Sequence, residues 1–153
     1  MAQLTWDEWK KAYESRSINS FGYDMLKEIL LNDILGKNED FILYLAGRHL
    51  ARKFPSSSFE ELEEQCHWFG FGTLILEKEK RNRLLVKLTS PHIEQRLYLF
   101  KDTSFQLEAG FLAEQIQQMK QCVTEATEAK RKKDAVYFSL QWDQKDPLID
   151  EKF

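Results

Sequence analysis

The hydrophobic period of this chain changes at Gly70-Phe71-Gly72, and that change limits the fold more than any other feature. Ahead of it, Phe59, Leu62, Cys66 and Phe69 recur at helical spacing and make one apolar stripe. Ser58 and Glu61 form a capping box before the stripe. Glu60, Glu61, Glu63 and Glu64 lie largely off it, as a solvated face does. Behind the glycines, Thr73 to Lys78 and Arg83 to Leu88 read as two strands joined through Glu79-Lys80-Arg81-Asn82. A chain that switches from helix to hairpin in mid-sequence points to an antiparallel sheet packed with helices, an α+β arrangement.

The same reading extends both ways. Thr5 and Glu8 make a capping box for a helix from about Trp6 to Ser15. Phe21 to Leu35 is a second helix, with Gly36 at its end. Asn38 is placed to cap a third, which stops at Pro55 and has Phe41, Ile42, Leu45, Ala46 and Leu50 as its apolar face. After the hairpin, Ser90-Pro91 opens a helix. The next helix carries a stripe of Phe105, Ala109, Leu112, Ile116 and Met119. Val123 to Ala129 is a weak strand. Ala135 to Trp142 is a strong one, with Val136, Phe138, Leu140 and Trp142 alternating with Tyr137, Ser139 and Gln141. The expected fold is α+β, an antiparallel sheet of about four strands in two hairpins with helices packed on one face. At 153 residues, one domain over residues 1–143 is expected, with the helix of residues 1–17 peripheral and 144–153 a loose tail.

Several classes are excluded or disfavoured by composition. A net charge of −3 argues against a general nucleic-acid binder. No apolar run reaches the ~18 residues that span a bilayer. The N-terminal residues are polar and acidic, unlike a secretory signal, so a cytoplasmic location with Cys66 and Cys122 reduced is expected.

Helix-borne Leu45-Ala46-Gly47-Arg48-His49-Leu50-Ala51 is followed by Trp68-Phe69-Gly70-Phe71-Gly72 before the hairpin and by Thr89-Ser90-Pro91. Glu108-Ala109-Gly110-Phe111-Leu112-Ala113 and Val136-Tyr137-Phe138 complete the series. In this order the motifs resemble the 4-vinyl-reductase-type ligand-binding domain, whose fold is shared with small subunits of the TRAPP transport complex. Within that group the chain looks most like the YslB-like proteins of Gram-positive bacteria, over roughly Phe21 to Trp142. The resemblance implies a domain that binds small or apolar ligands, or partner proteins, and often dimerises through its helices. Two features of the group are missing. Thr124 to Phe138 has no Cys or His for the metal some members carry near the last hairpin, and Phe54 to Ser58 has no thiol for the acyl chain some TRAPP subunits carry.

Neither a metal site nor a cofactor is expected, since no Cys-x-x-Cys or His-Glu-x-x-His spacing occurs. Cys66-His67 invites a nucleophile reading, but neighbours on a helix do not face each other and Cys66 shares the apolar stripe. Gly70-Phe71-Gly72 lacks the Lys-Ser/Thr of a phosphate loop and reads as a tight turn, with a backbone left open beside a pocket as its functional alternative.

The aromatics are numerous for the size, with 11 Phe, 5 Tyr and 4 Trp. Cys66, Phe69, Phe71, Phe105, Phe111 and Phe138 are candidate linings of an apolar ligand pocket. Trp6, Trp9, Phe21 and Tyr23 are candidates for an interface. Lys80, Arg81 and Arg83 at one hairpin turn, with Arg131, Lys132 and Lys133 at the other, make a basic patch if the two turns lie at the same edge. The leading expectation is a non-enzymatic domain that binds a small apolar ligand or a protein. The alternatives are a thiol-dependent enzyme using Cys66 and a ligand-free homodimerising assembly module.

Overall fold

A computed structural model describes residues 3–149. Helix α1 spans Trp6–Tyr13 behind the expected capping box: Thr5 Oγ1 accepts from the Glu8 N–H and Glu8 returns a carboxylate to the Thr5 N–H. A second helical stretch is built from α2 (Ser20–Asp24), a π-helical segment (Met25–Leu30) and α3 (Leu31–Leu35). Asn19 caps it through the Phe21 N–H, and Gly36, at a φ of +55°, ends it. One 3₁₀ turn, Gly36–Asn38, leads into α4 (Glu39–Lys53). The side chain of Asn38 does not cap α4 as its position suggests; it makes no capping hydrogen bond.

Helix α5 (Phe59–Trp68) has Ser58 Oγ on the Glu61 N–H, while the Glu61 carboxylate turns to Ser57, so only half of the expected box forms. Gly70 and Gly72 have φ of +73° and +126°. Their peptide units fold back so that the Phe71 and Gly72 N–H groups both reach the Cys66 carbonyl. A Cβ on Gly72 would meet the Thr89 carbonyl at 2.9 Å. The motif is a close-packed turn.

The sheet holds β1 (Thr73–Lys80), β2 (Arg83–Thr89), β3 (Cys122–Lys132) and β4 (Ala135–Pro147), all antiparallel, in the order β1-β2-β4-β3. Lys80 pairs with Arg83, so the first turn is Arg81-Asn82, tighter than the sequence suggests. Strand β4 runs past Trp142 and pairs Pro147 with Cys122, so residues 143–147 are sheet and not a loose tail. Residues 150–153 of that tail lie outside the described residues. Helices α6 (Pro91–Leu99) and α7 (Gln106–Lys120) complete the fold.

Alternate residues of β2 and β4, Leu84, Val86, Leu88, Phe138, Leu140 and Trp142, face a helical layer led by α7. Its stripe of Phe105, Ala109, Leu112 and Ile116 is buried as expected. Helix α4 crosses α7 at glycines. A Cβ on Gly47 would run into the Leu107 carbonyl, and one on Gly110 into the Tyr44 carbonyl. This crossing turns α4 the other way from the expectation: Gly47, Arg48 and Ala51 face in, and Phe41, Ile42 and Leu45 face out.

Candidate functional site

The helix Ser20–Leu35 is assembled inside out. Its charged residues face the domain: Asp24 and Lys27 are buried, and the Glu28 side chain is 5% exposed. Its large apolar residues face solvent: Phe21 is 67% exposed and Ile34 66%, with Met25, Leu26, Ile29 and Leu30 near half. The π-helical segment explains how two neighbours share the inner side. The Leu31 N–H reaches back five residues to the Leu26 carbonyl, so the turn is wider and Lys27 and Glu28 both point in. On α4, Phe41 (69% exposed), Ile42 and Leu45 are likewise exposed. Two elements thus present large apolar side chains to solvent.

Buried charge holds that helix in place. The Arg96 guanidinium donates to Glu28 Oε1 at 3.0 Å, to Glu108 Oε1 at 3.1 Å, and to Thr103 Oγ1 and the Ser104 carbonyl. Its face lies over the Phe105 ring, 4.3 Å from the centroid. Lys27 donates to the Ser104 carbonyl and lies 3.8 Å from Glu39, which accepts from Asn32. His92 Nε2 is 2.7 Å from Asp24, with Tyr23 edge-on to the imidazole. Burial pulls the Arg96 guanidinium down, but Glu108, Tyr23 and Glu28 outweigh it and hold it above its ordinary value. Burial, then Glu108, pushes the Tyr23 phenol up.

Of the six candidate pocket residues, Cys66, Phe71, Phe105, Phe111 and Phe138 belong to the core cluster and Phe69 packs against it. Phe69, Phe71 and Phe111 form a triangle of edge-to-face rings 5.5–5.8 Å apart. Phe138 is fully buried, and Phe105 has the Arg96 and Arg131 guanidinium groups 4.3 and 5.2 Å from its ring centroid. Cys66 is fully buried, and burial pushes its thiol up, away from the thiolate that a nucleophile needs. This environment is the opposite of what the thiol-enzyme alternative requires.

The interface candidates separate into three places. Tyr23 turns in toward His92 and Phe21 points out. Trp6 and Trp9 pack on Phe54, and Trp6 also on Trp68 and Phe69. Between α1 and α5 these rings leave a groove of about 320 Å³ lined by Trp6, Trp9, Tyr13, Phe54, Trp68 and Phe69. Lys10, at its rim, is held by Glu64 at 2.7 Å.

The basic candidates also part. Arg83 pairs with Gln141 and Thr89 with Ala135. That register sets the Arg81-Asn82 turn at one end of the sheet and the Lys133-Asp134 turn at the other. The expectation of one patch at a common edge is therefore corrected. Arg131, Lys132 and Lys133 line a cleft of about 660 Å³ with Lys101, Leu97 and Tyr98, whereas Lys80 and Arg83 lie with Lys78 around a second hollow on the open side of the sheet.

Residues 20–141 match the family model described as "Protein of unknown function (DUF2507)". The chain belongs to the DUF2507 family. Over 132 residues, 86% of this chain and 89% of the relative, it is 42% identical to "Uncharacterized protein YslB" of Bacillus subtilis (strain 168). The fold is also that of a vinyl-4-reductase family protein from Methanocaldococcus jannaschii, whose crystal structure superposes with a TM-score of 0.63 at 16% identity, over 86% of this chain and 85% of that one. The DUF2507 match takes in the inverted helix, whose first residue, Ser20, is where the matched region begins. It leaves out α1, and with it Trp6, Trp9 and Tyr13 of the aromatic groove.

The residues that sequence reasoning misses here are Lys27, Glu28, Arg96 and Glu108. A signal for the first two exists: adjacent charges interrupt the apolar spacing of Met25, Leu26, Ile29 and Leu30. Nothing local links them to Arg96, 68 residues beyond Glu28.

Proposed function

We propose that this DUF2507 protein is a cytoplasmic binding module that works by association, not catalysis. Its interface is the outward apolar face of the helix Ser20–Leu35 with Phe41, Ile42 and Leu45 of α4, and its occupant is a second copy of the chain. The observation that carries this is the inverted helix, with charges inside and Phe21, Met25, Leu26, Ile29, Leu30 and Ile34 outside. Contiguous apolar patches larger than a few hundred Å² are rare on monomers and mark interaction sites. A standard interface takes about 800 Å² from each partner, and nine large apolar side chains, each between 39% and 69% exposed, are the material for it. A face of apolar character without a dominant charge sign is suited to meet its own copy across a two-fold axis.

Size-exclusion chromatography with light scattering tests the proposal. The protein is expected to run as a dimer, and Ile29→Glu with Phe41→Glu to run as a monomer with unchanged circular dichroism. A monomer at a concentration of several hundred micromolar overturns it. The small-apolar-ligand reading draws its support from the groove of Trp6, Trp9 and Tyr13 rather than from the packed core aromatics. Native mass spectrometry of gently purified protein checks that reading: a bound mass lost on Trp9→Ala supports it, and protein of bare-chain mass counts against it.

A further inference from the structure

The sheet turns one face to the helices, and its other face carries mainly cations, with Glu125, opposite Gln141 in the Arg83 row and paired with Arg48, as an acidic exception. Lys80 is opposite Arg83, and Lys78 is opposite Leu85, which is opposite Ser139. In the next row Lys87 is opposite Tyr137, which is opposite Lys130; beyond it Lys132 pairs with Ala135. Neighbouring strands lie about 4.8 Å apart and successive same-face rows about 7 Å, so Lys78, Lys87 and Lys130 fall in two adjoining rows, with Lys80 and Arg83 one row to one side and Lys132 one row to the other, where it also lines the first cleft.

Tyr137 organises half of them. Lys130, Lys132 and Lys87 place their ammonium groups 4.6, 5.4 and 6.0 Å from its ring centroid. Such contacts orient the cations over the ring's negative face without neutralising them. On the other half, Lys78, Lys80 and Arg83 surround a hollow of about 280 Å³ floored by Leu85, Ala129 and Ser139. Among the described residues none of Lys78, Lys80, Arg83, Lys87, Lys130 and Lys132 takes part in a salt bridge; those of the second hairpin, Arg131–Glu128 and Lys133–Glu94, use other cations. Like charges without a salt-bridge partner among the described residues repel one another, and an anion from outside relieves the repulsion. The concentration is notable in a chain whose net charge is −3.

We propose that this open sheet face binds a small polyphosphorylated anion, seated over the Leu85–Ser139 floor between the Lys78, Lys80, Arg83 group and the Tyr137 lysines. The shape favours a compact solute over the two larger anions. A single strand of nucleic acid stacks its bases on exposed rings, and Tyr137 is 5% exposed beneath its lysines. An acidic bilayer meets lysine tips in a plane, whereas this surface is concave, with its Arg and two of its lysines around a hollow. This site is independent of the helical interface on the other side of the sheet.

Isothermal titration of the full chain with inorganic tripolyphosphate at low salt tests the proposal. One site per chain is expected, with affinity falling at least tenfold between 20 and 200 mM salt through screening. Lys78→Gln with Arg83→Gln, and separately Lys130→Gln, are expected to weaken binding at least tenfold with unchanged circular dichroism. Lys133→Gln, in the other cleft, is expected to leave it as it is. Tripolyphosphate that does not bind, or binds these variants as well as it binds the parent, overturns the assignment. So does retention only on phosphatidylglycerol vesicles, or only on an oligo(U) strand.

Discussion

Arg96 is the residue on which the inverted helix depends. It is 1% exposed and holds Glu28 from the helix and Glu108 from α7 on one guanidinium. Substituting one partner of a buried pair leaves the others charged and unpaired, which costs about 3–5 kcal/mol. Arg96→Met is therefore expected to lower unfolding free energy by that amount in urea titration, and to loosen Ser20–Leu35 first in amide exchange. A second prediction concerns the glycines of the α4–α7 crossing. Gly110→Ala sets a methyl against the Tyr44 carbonyl, and backbone cannot yield as a side chain does. The expected loss is about 3 kcal/mol or more, read from the denaturation midpoint. Cys66 gives a third: iodoacetamide at neutral pH is expected to leave it unmodified in the folded chain and to label it in denaturant. Labelling in the folded chain would reopen the thiol chemistry.

At the scale of elements, α4 is tied to α7 through the Glu114 carboxylate and to β3 through Arg48. Glu114 accepts from Arg48 at 2.9 Å and from Arg52 at 3.1 Å, while Arg48 also reaches Glu125 and the Thr124 carbonyl. Burial pushes the Glu114 carboxyl up, but Arg52, Arg48 and Gln118 outweigh it and hold it below the ordinary 4.5. A carboxyl lowered on folding adds stability that is present above its ordinary value and lost as pH falls through the lowered one. Stability is therefore expected to decline below pH 4.5, and Glu114→Gln to be less stable at pH 7 yet to decline less on acidification, as measured by urea midpoints across pH.

The elements also show what the sequence reveals and where it stops. The capping residues Thr5, Ser58 and Ser90 mark helix starts because their partners are three residues away. The strand Ala135–Trp142 is legible because alternation is local. The direction in which a helix faces is not local. Phe41, Ile42 and Leu45 make as good a stripe as Leu43 and Ala51, and the choice falls to Gly47 and Arg48, whose partners Leu107 and Glu114 are on α7. The site was illegible for the same reason. Arg96 meets Glu28 across 68 residues, and the separation of the basic turns follows from the β2–β4 register, which no turn sequence records.

On the scale of the whole molecule, the sheet separates two surfaces that differ in character, one apolar and helical, one cationic and built on the open strands. Raised salt is expected to act on them in opposite senses, weakening the contacts of the second by screening while leaving or strengthening apolar association through the first. Light scattering and tripolyphosphate titration on one salt series check this. The sheet has two more boundaries, its edge strands, where free N–H and C=O groups invite a further chain. On β3 the Tyr44 hydroxyl, which donates to Glu125, occupies the Ala126 N–H at 3.1 Å. On β1 the ladder is kinked between Leu76 and Lys78, and lysines follow. Tyr44 therefore covers one free donor of this edge, and a chain with Tyr44→Phe is expected to form thioflavin-positive aggregates sooner than its parent.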